Sequence, residues 1–224
     1  MVNFISQSSG ARRQRTSAGL PPAAAFTLIE LLVVIAIMVL LAGMIVAGVG
    51  VVGEKKRVAM AQTEIAKLAT LISTYQAKKG LYPPDSPTYS ADPTNTTLFY
   101  ELAGAVRDPS DTFYTTPFCD VPKSTLLNAT GVGGLVNSSG GGVEERADVL
   151  HLLEGAVRPE MTNSIVVNGA RIVVFVAPEG PNGRVVNPIN YRVGTNAVHN
   201  PGHFDLWAVV KTRSGSRVIG NWKE

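Results

Sequence analysis

Phe26-Thr27-Leu28-Ile29-Glu30-Leu31-Leu32 opens the stretch that decides how the rest of the chain is read. From residue 31 to residue 53 there are 23 consecutive positions without a charge, enough to cross a bilayer as an α-helix. Such a run excludes a soluble globular domain throughout, and it excludes a disordered chain. Ahead of it, residues 1–25 are polar, rich in Ser, Ala and Pro, and carry Arg12, Arg13 and Arg15 with no acidic residue. These arginines account for the whole formal charge of +3 in the 224-residue chain, because the remainder balances at 17 basic and 17 acidic residues. No basic footprint for nucleic acid is left. The first 25 residues read as targeting sequence, to be kept out of the fold. A secretory signal places its small residues after an apolar core of roughly 7–15 residues. Here Ala23-Ala24-Ala25 precede the core, which is also too long, so an ordinary cleaved signal does not fit.

Glu30 is the anomalous residue. A carboxylate near the end of an apolar span needs a partner, or must reach the headgroup boundary. If the chain is cut before Phe26, a new α-amino group arises within about one helical turn of Glu30. The same group on a neighbouring chain would lie at the same depth. Either would satisfy the carboxylate.

Phe26-Thr27-Leu28-Ile29-Glu30 followed by a long apolar run resembles the cleavage and methylation motif of type IV prepilins and type II secretion pseudopilins. The resemblance implies that prepilin peptidase cuts between Ala25 and Phe26 and methylates the Phe26 amino group. It also implies that Glu30 pairs with a neighbouring subunit's N-terminus during assembly. The family usually has Gly before the cut, and Ala25 stands there in this chain; processing is expected, at a lower rate.

No proline interrupts the chain between Pro22 and Pro83. Beyond Glu54-Lys55-Lys56-Arg57, the residues Val58, Ala61, Ile65, Leu68, Ile72 and Tyr75 recur at alternating spacings of three and four, one stripe of an amphipathic helix. Lys78-Lys79-Gly80 is a helix end, with Gly able to take the left-handed cap. A helix over 27–79 would be on the order of 80 Å long. Gly43, Gly48, Gly50 and Gly53 cluster at the far end of the span. They either permit close helix packing or mark a local melt. Three basic residues precede the span and three follow it closely, so charge does not orient it. The resemblance alone sets the leader in the cytoplasm.

Beyond Gly80 the composition shifts to Pro, Gly, Ser, Thr and Asn. Tyr75 through Leu81-Tyr82-Pro83 resembles the end of the pseudopilin helix. Short helices are expected at 97–103 and 144–154, separated by a flexible loop at 131–142 with six glycines. Asn168-Gly169 between Ser164-Ile165-Val166-Val167 and Arg171-Ile172-Val173-Val174-Phe175-Val176 predicts a hairpin, and Asn182-Gly183 another turn. Further strands are expected at 190–194, 204–211 and 217–222, giving a small antiparallel sheet. The fold class is therefore α+β, a long N-terminal helix packed on that sheet in a pilin-like arrangement. The closing segment, Phe204-Asp205-Leu206-Trp207 through Ile219-Gly220-Asn221-Trp222, resembles the end of the major type II secretion pseudopilin. The middle, from about 86 to 188, has no counterpart.

In that subfamily the loop between the last two strands holds calcium with several aspartates. Here residues 208–217 contain Lys211, Arg213 and Arg217 and no acid, and Asp205 alone cannot supply the oxygen cluster calcium needs. No metal and no cofactor is expected. His199 and His203 are four apart, but Pro201 and Gly202 between them forbid a helical metal pair; His151 stands apart from both. Cys119, the single cysteine, can form no internal disulfide, and it has no catalytic partner nearby. Trp207 and Trp222 read as core residues. No hydrolase or phosphate-loop motif appears, and no enzymatic activity is expected.

The expected organisation is a leader (1–25), a transmembrane half-helix (26–52), an amphipathic half-helix (53–80) and an exported head (81–224). The resemblance implies a structural subunit of a type II secretion pseudopilus, held single-pass in the bacterial inner membrane with its head in the periplasm until assembled. Its partners would be copies of itself in a filament, other pseudopilins, prepilin peptidase, the inner-membrane assembly platform and membrane lipid, with no nucleic acid. The alternatives are a type IV pilin for adhesion, motility or DNA uptake, and a membrane-tethered binding protein.

Overall fold

The structure, a computed structural model, describes residues 26–86, 94–140, 148–180 and 186–223, with the side chains of 45–51 outside the described set. The leader, the Asn182-Gly183 turn and the first part of the expected helix at 144–154 lie outside the described residues. The chain divides into two units, Met1–Val46 and Ala47–Glu224. The first helix, α1 (Leu28–Lys79), begins in the first unit and ends in the second.

In the first unit α1 is apolar on every side. Its large side chains from Leu28 to Met44 are all exposed, Leu28 at 81% and Val39 at 72%. Among the described residues no helix is long and apolar enough to cross a membrane. The latter part of the uncharged run, 45–51, is the part whose side chains are not described.

In the second unit α1 behaves as its periodicity predicts. Ala61, Ile65, Leu68, Ile72 and Tyr75 are each at most 2% exposed, and Val58 packs against them. The helix stops at Gly80, where φ is 77° and the amide donates to the Gln76 carbonyl at 2.8 Å, the left-handed cap that a residue without Cβ adopts freely. The chain then turns through Pro83, whose carbonyl accepts the buried Tyr191 hydroxyl at 2.7 Å.

The remaining elements are α2 (Leu98–Ala103), β1 (Ala105–Arg107), β2 (Phe113–Thr115), β3 (Asp120–Pro122), α3 (Lys123–Thr130), β4 (Ser138–Ser139), β5 (Thr162–Val167), β6 (Ala170–Ala177), β7 (Asn187–Pro188), β8 (Asn190–Val193), β9 (Phe204–Thr212) and β10 (Gly215–Gly220). The expected hairpin is β5–β6, with Asn168 (φ 50°) and Gly169 (φ 78°) at its turn and Val167 opposite Ala170. Instead of one small antiparallel sheet there are three among the described residues: β10-β9-β8, β5-β6-β7, and β3-β2-β1-β4, the last containing a parallel pair, β1 with β4. Leu206, Ala208 and Val210 of β9 join the α1 stripe and Ile172 and Val174 of β6 in one core.

Three expectations are corrected. The described part of 144–154 is turn rather than helix. Its backbone donors are drawn elsewhere, Leu150 N to Asn137 Oδ1 at 2.9 Å and Leu152 N to the Leu102 carbonyl at 3.0 Å. The glycine-rich segment is partly built into the fold, with Leu135 and Asn137 buried and Ser138–Ser139 forming β4. Trp207 and Trp222 are half-buried rather than core, and Trp222 follows the last strand instead of lying on it.

A buried carboxylate explains both local departures. Glu101 of α2, fully buried, accepts the Tyr75 hydroxyl at 2.9 Å and the amides of Val136 and Asn137 at 2.8 Å each. Asn137 in turn donates to the Glu101 and Leu150 carbonyls at 2.7 and 2.8 Å. One acid thus ties α1, α2 and the glycine-rich segment together. Burial pushes its pKa up against the lowering effect of these donors.

Candidate functional site at the start of the first helix

Thr27 stands immediately before α1 and Glu30 three residues on, in the Thr-x-x-Glu spacing of a capping box. The geometry follows that pattern. The Glu30 amide donates to Thr27 Oγ1 at 3.3 Å, while Glu30 Oε2 accepts the Thr27 amide at 2.8 Å and the Thr27 hydroxyl at 2.7 Å. The Leu31 amide closes the first turn on the Thr27 carbonyl at 3.2 Å. Both side-chain bonds fall on one carboxylate oxygen. Phe26, 75% exposed, precedes this box, and Ala25 lies outside the described residues. The capping role of Thr27 is an addition to the sequence reading, and the spacing from a hydroxyl residue to Glu30 carries the signal for it.

Other sequence candidates have structural duties. The ring of His199 stacks on Trp222 at 3.9 Å with 6° between planes, and His203 Nδ1 lies 3.0 Å from the Tyr82 hydroxyl, so the two are not turned to a common point. His151 Nδ1 lies 2.9 Å from the Ala103 carbonyl. Cys119 is half-buried, its thiol pushed up chiefly by burial, the reverse of what an activated nucleophile needs. Asp205, buried, accepts the amides of His199 and Asn200 at 2.8 and 2.9 Å and the Asn200 side chain at 3.0 Å. The β9–β10 connection is shorter than the expected 208–217 loop, with only Arg213 and Ser214 between the strands. Among the described residues no group of three or more His, Cys, Asp or Glu is placed to hold a metal.

Residues 21–46 match the family described as Prokaryotic N-terminal methylation motif. The segment carries a prepilin-type methylation motif. The matched segment contains Phe26, Thr27 and Glu30 and runs into the exposed apolar part of α1. A motif of this type implies processing by prepilin peptidase and assembly into a filament, and its family consists of structural pilin-type subunits rather than enzymes. No curated protein and no solved structure gives a significant match to the chain.

Proposed function

We propose that the protein is a structural subunit of a type II secretion pseudopilus. It is cut between Ala25 and Phe26, N-methylated on Phe26, and held in the bacterial inner membrane by residues 26–52 with its head in the periplasm. On assembly it exchanges lipid for sister helices in a helical filament, and Glu30 sets register by meeting a neighbour's amino terminus. The observation that carries this reading is the methylation motif at 21–46, leading into a helix whose large apolar side chains point outward on all sides. A helix apolar all round needs lipid or other helices about it. The uncharged run of 23 residues supports lipid as the first surrounding. Glu30 Oε1 takes no part in the bonds to Thr27, which leaves an acceptor for a neighbouring ammonium group. Pseudopilus rather than adhesive pilus is supported by the single cysteine, which can form no internal disulfide, and by the likeness of the C-terminal segment to the major pseudopilin.

Mass spectrometry of the membrane-extracted protein is expected to show a chain beginning with N-methyl-phenylalanine at position 26. A mature chain that keeps Arg12, Arg13 and Arg15 refutes the processing step. Glu30→Ala is expected to be inserted and cleaved yet to stay out of co-assembled filaments, and normal incorporation refutes the register role.

A further inference from the structure

Two basic clusters about 150 residues apart in the chain meet in the second unit. One is Lys55-Lys56-Arg57, the first charges after the apolar run. The other is Lys211, Arg213 and Arg217 around the tip of the β9–β10 hairpin. The tip is fixed to the helix by specific bonds: the Arg213 amide donates to Glu54 Oε2 at 3.0 Å, and Arg57 Nε donates to the Lys211 carbonyl at 3.4 Å. The two acids in these contacts are already engaged. Glu179 accepts Lys211 at 3.2 Å and lies 3.7 Å from Arg57, while Glu54 holds the hairpin backbone. Lys55, Lys56, Arg213 and Arg217 are exposed. Arg217 also flanks a groove with Gln62 and Trp222.

We infer that these residues form a basic collar that docks on anionic lipid headgroups at the membrane surface where the apolar run ends. The inference rests on the membrane-anchored reading above. Position and charge together select the occupant. The uncharged run stops at Gly53, so the next turn of α1 lies at headgroup level if the run lies in lipid. The hairpin bonds bring Lys211 and Arg213 to that same turn, and Arg217 lies further along α1, beside Gln62. Clustered Lys and Arg beside a membrane segment attract acidic lipid, and the attraction fades within a Debye length. The excess of basic over acidic side chains matches the net negative charge of the phosphatidylglycerol headgroup, whereas the ammonium of a zwitterionic headgroup cancels its phosphate.

The test reconstitutes the full chain into nanodiscs of mixed phosphatidylcholine and phosphatidylglycerol, and native mass spectrometry reads the lipids retained on the protein. The expected result is phosphatidylglycerol enriched at least about twofold over its share of the mixture. That enrichment is lost when salt rises from about 0.1 M to about 1 M, as the screening length falls from about 10 Å to about 3 Å. Lys55→Gln/Lys56→Gln/Arg213→Gln is expected to incorporate equally well and to retain the two lipids in proportion to the mixture. The wild-type salt series stands without the variant, should the variant fold poorly. Equal lipid proportions on the wild type, or enrichment that survives high salt, overturns the collar while leaving the anchor intact. Failure of the wild type to enter nanodiscs of any composition overturns the anchor and the collar with it. Loss of enrichment to inorganic phosphate, beyond that to chloride of equal ionic strength, points to a discrete anion pocket and also overturns a lipid-docking collar.

Discussion

Replacing Glu64 by glutamine is expected to stabilise the folded head at pH 8 and to change little at pH 4.5. Glu64 lies on α1 beside the buried stripe, 6% exposed, and its Oε2 has no hydrogen-bond partner. Burial is the main cause that pushes its pKa up from 4.5 to about 7; Arg158 opposes the rise and Glu160 adds to it. Because the folded state holds the proton more tightly than the unfolded chain, the stability linked to Glu64 is complete below about pH 4.5. It is lost as pH rises through about 7. Each unit corresponds to about 1.4 kcal/mol, so the full shift would amount to about 3 kcal/mol. Water reaches the adjoining cleft lined by Lys56, Met60, Thr63 and Arg158, and screening there reduces the figure to about 2 kcal/mol. Urea unfolding of a fragment beginning at Glu54, followed by circular dichroism at pH 4.5, 6 and 8, measures it. Wild-type stability should fall relative to Glu64→Gln across that range, with the gap opening between pH 5 and 7. A glutamine variant that is less stable at pH 8, or that runs parallel to wild type at every pH, refutes the reasoning.

Three other outcomes follow from named contacts. Glu101→Ala leaves the Tyr75 hydroxyl, the buried Asn137 amide and the Val136 amide without their acceptor and should cost about 3–5 kcal/mol in the same unfolding assay, whereas Tyr75→Phe should cost about 1 kcal/mol. Gly104→Ala would place a Cβ 2.6 Å from the Leu150 carbonyl oxygen at a φ of 74°; a loss of at least about 2 kcal/mol is expected, read as a lowered urea midpoint. Thr27→Ala removes one half of the capping box and should weaken the start of α1 by about 1 kcal/mol. Faster amide exchange at residues 29–31 in detergent would report it, and unchanged exchange would count against the box.

The first helix and its terminus were legible in the sequence because both are local. The three-and-four spacing from Val58 to Tyr75 needs no distant partner to declare a helix face, and Gly80 needs only the absence of a Cβ to take its φ of 77°. Asn168-Gly169 announced the β5–β6 turn for the same reason. The methylation motif is local too, and Phe26 through Glu30 suffice to state it. In contrast, α3 and the sheet β3-β2-β1-β4 went unread, since their strands are two or three residues long and carry no usable period.

Tertiary structure decided what depends on residues far apart in the chain. The segment at 148–154 gives up helical hydrogen bonds because Asn137 and Leu102 offer its amides other acceptors. The glycine-rich stretch is built into the fold because Glu101, 35 residues away, captures its amides. Lys211, Arg213 and Arg217 read in sequence only as a loop unsuited to calcium. Lys211 and Arg213 join the cations of α1 once Arg57 and Glu54 bind the hairpin backbone. Local sequence sets backbone preference and periodicity, but which buried donor meets which acceptor, and which charges share a surface, is fixed only when the chain closes on itself.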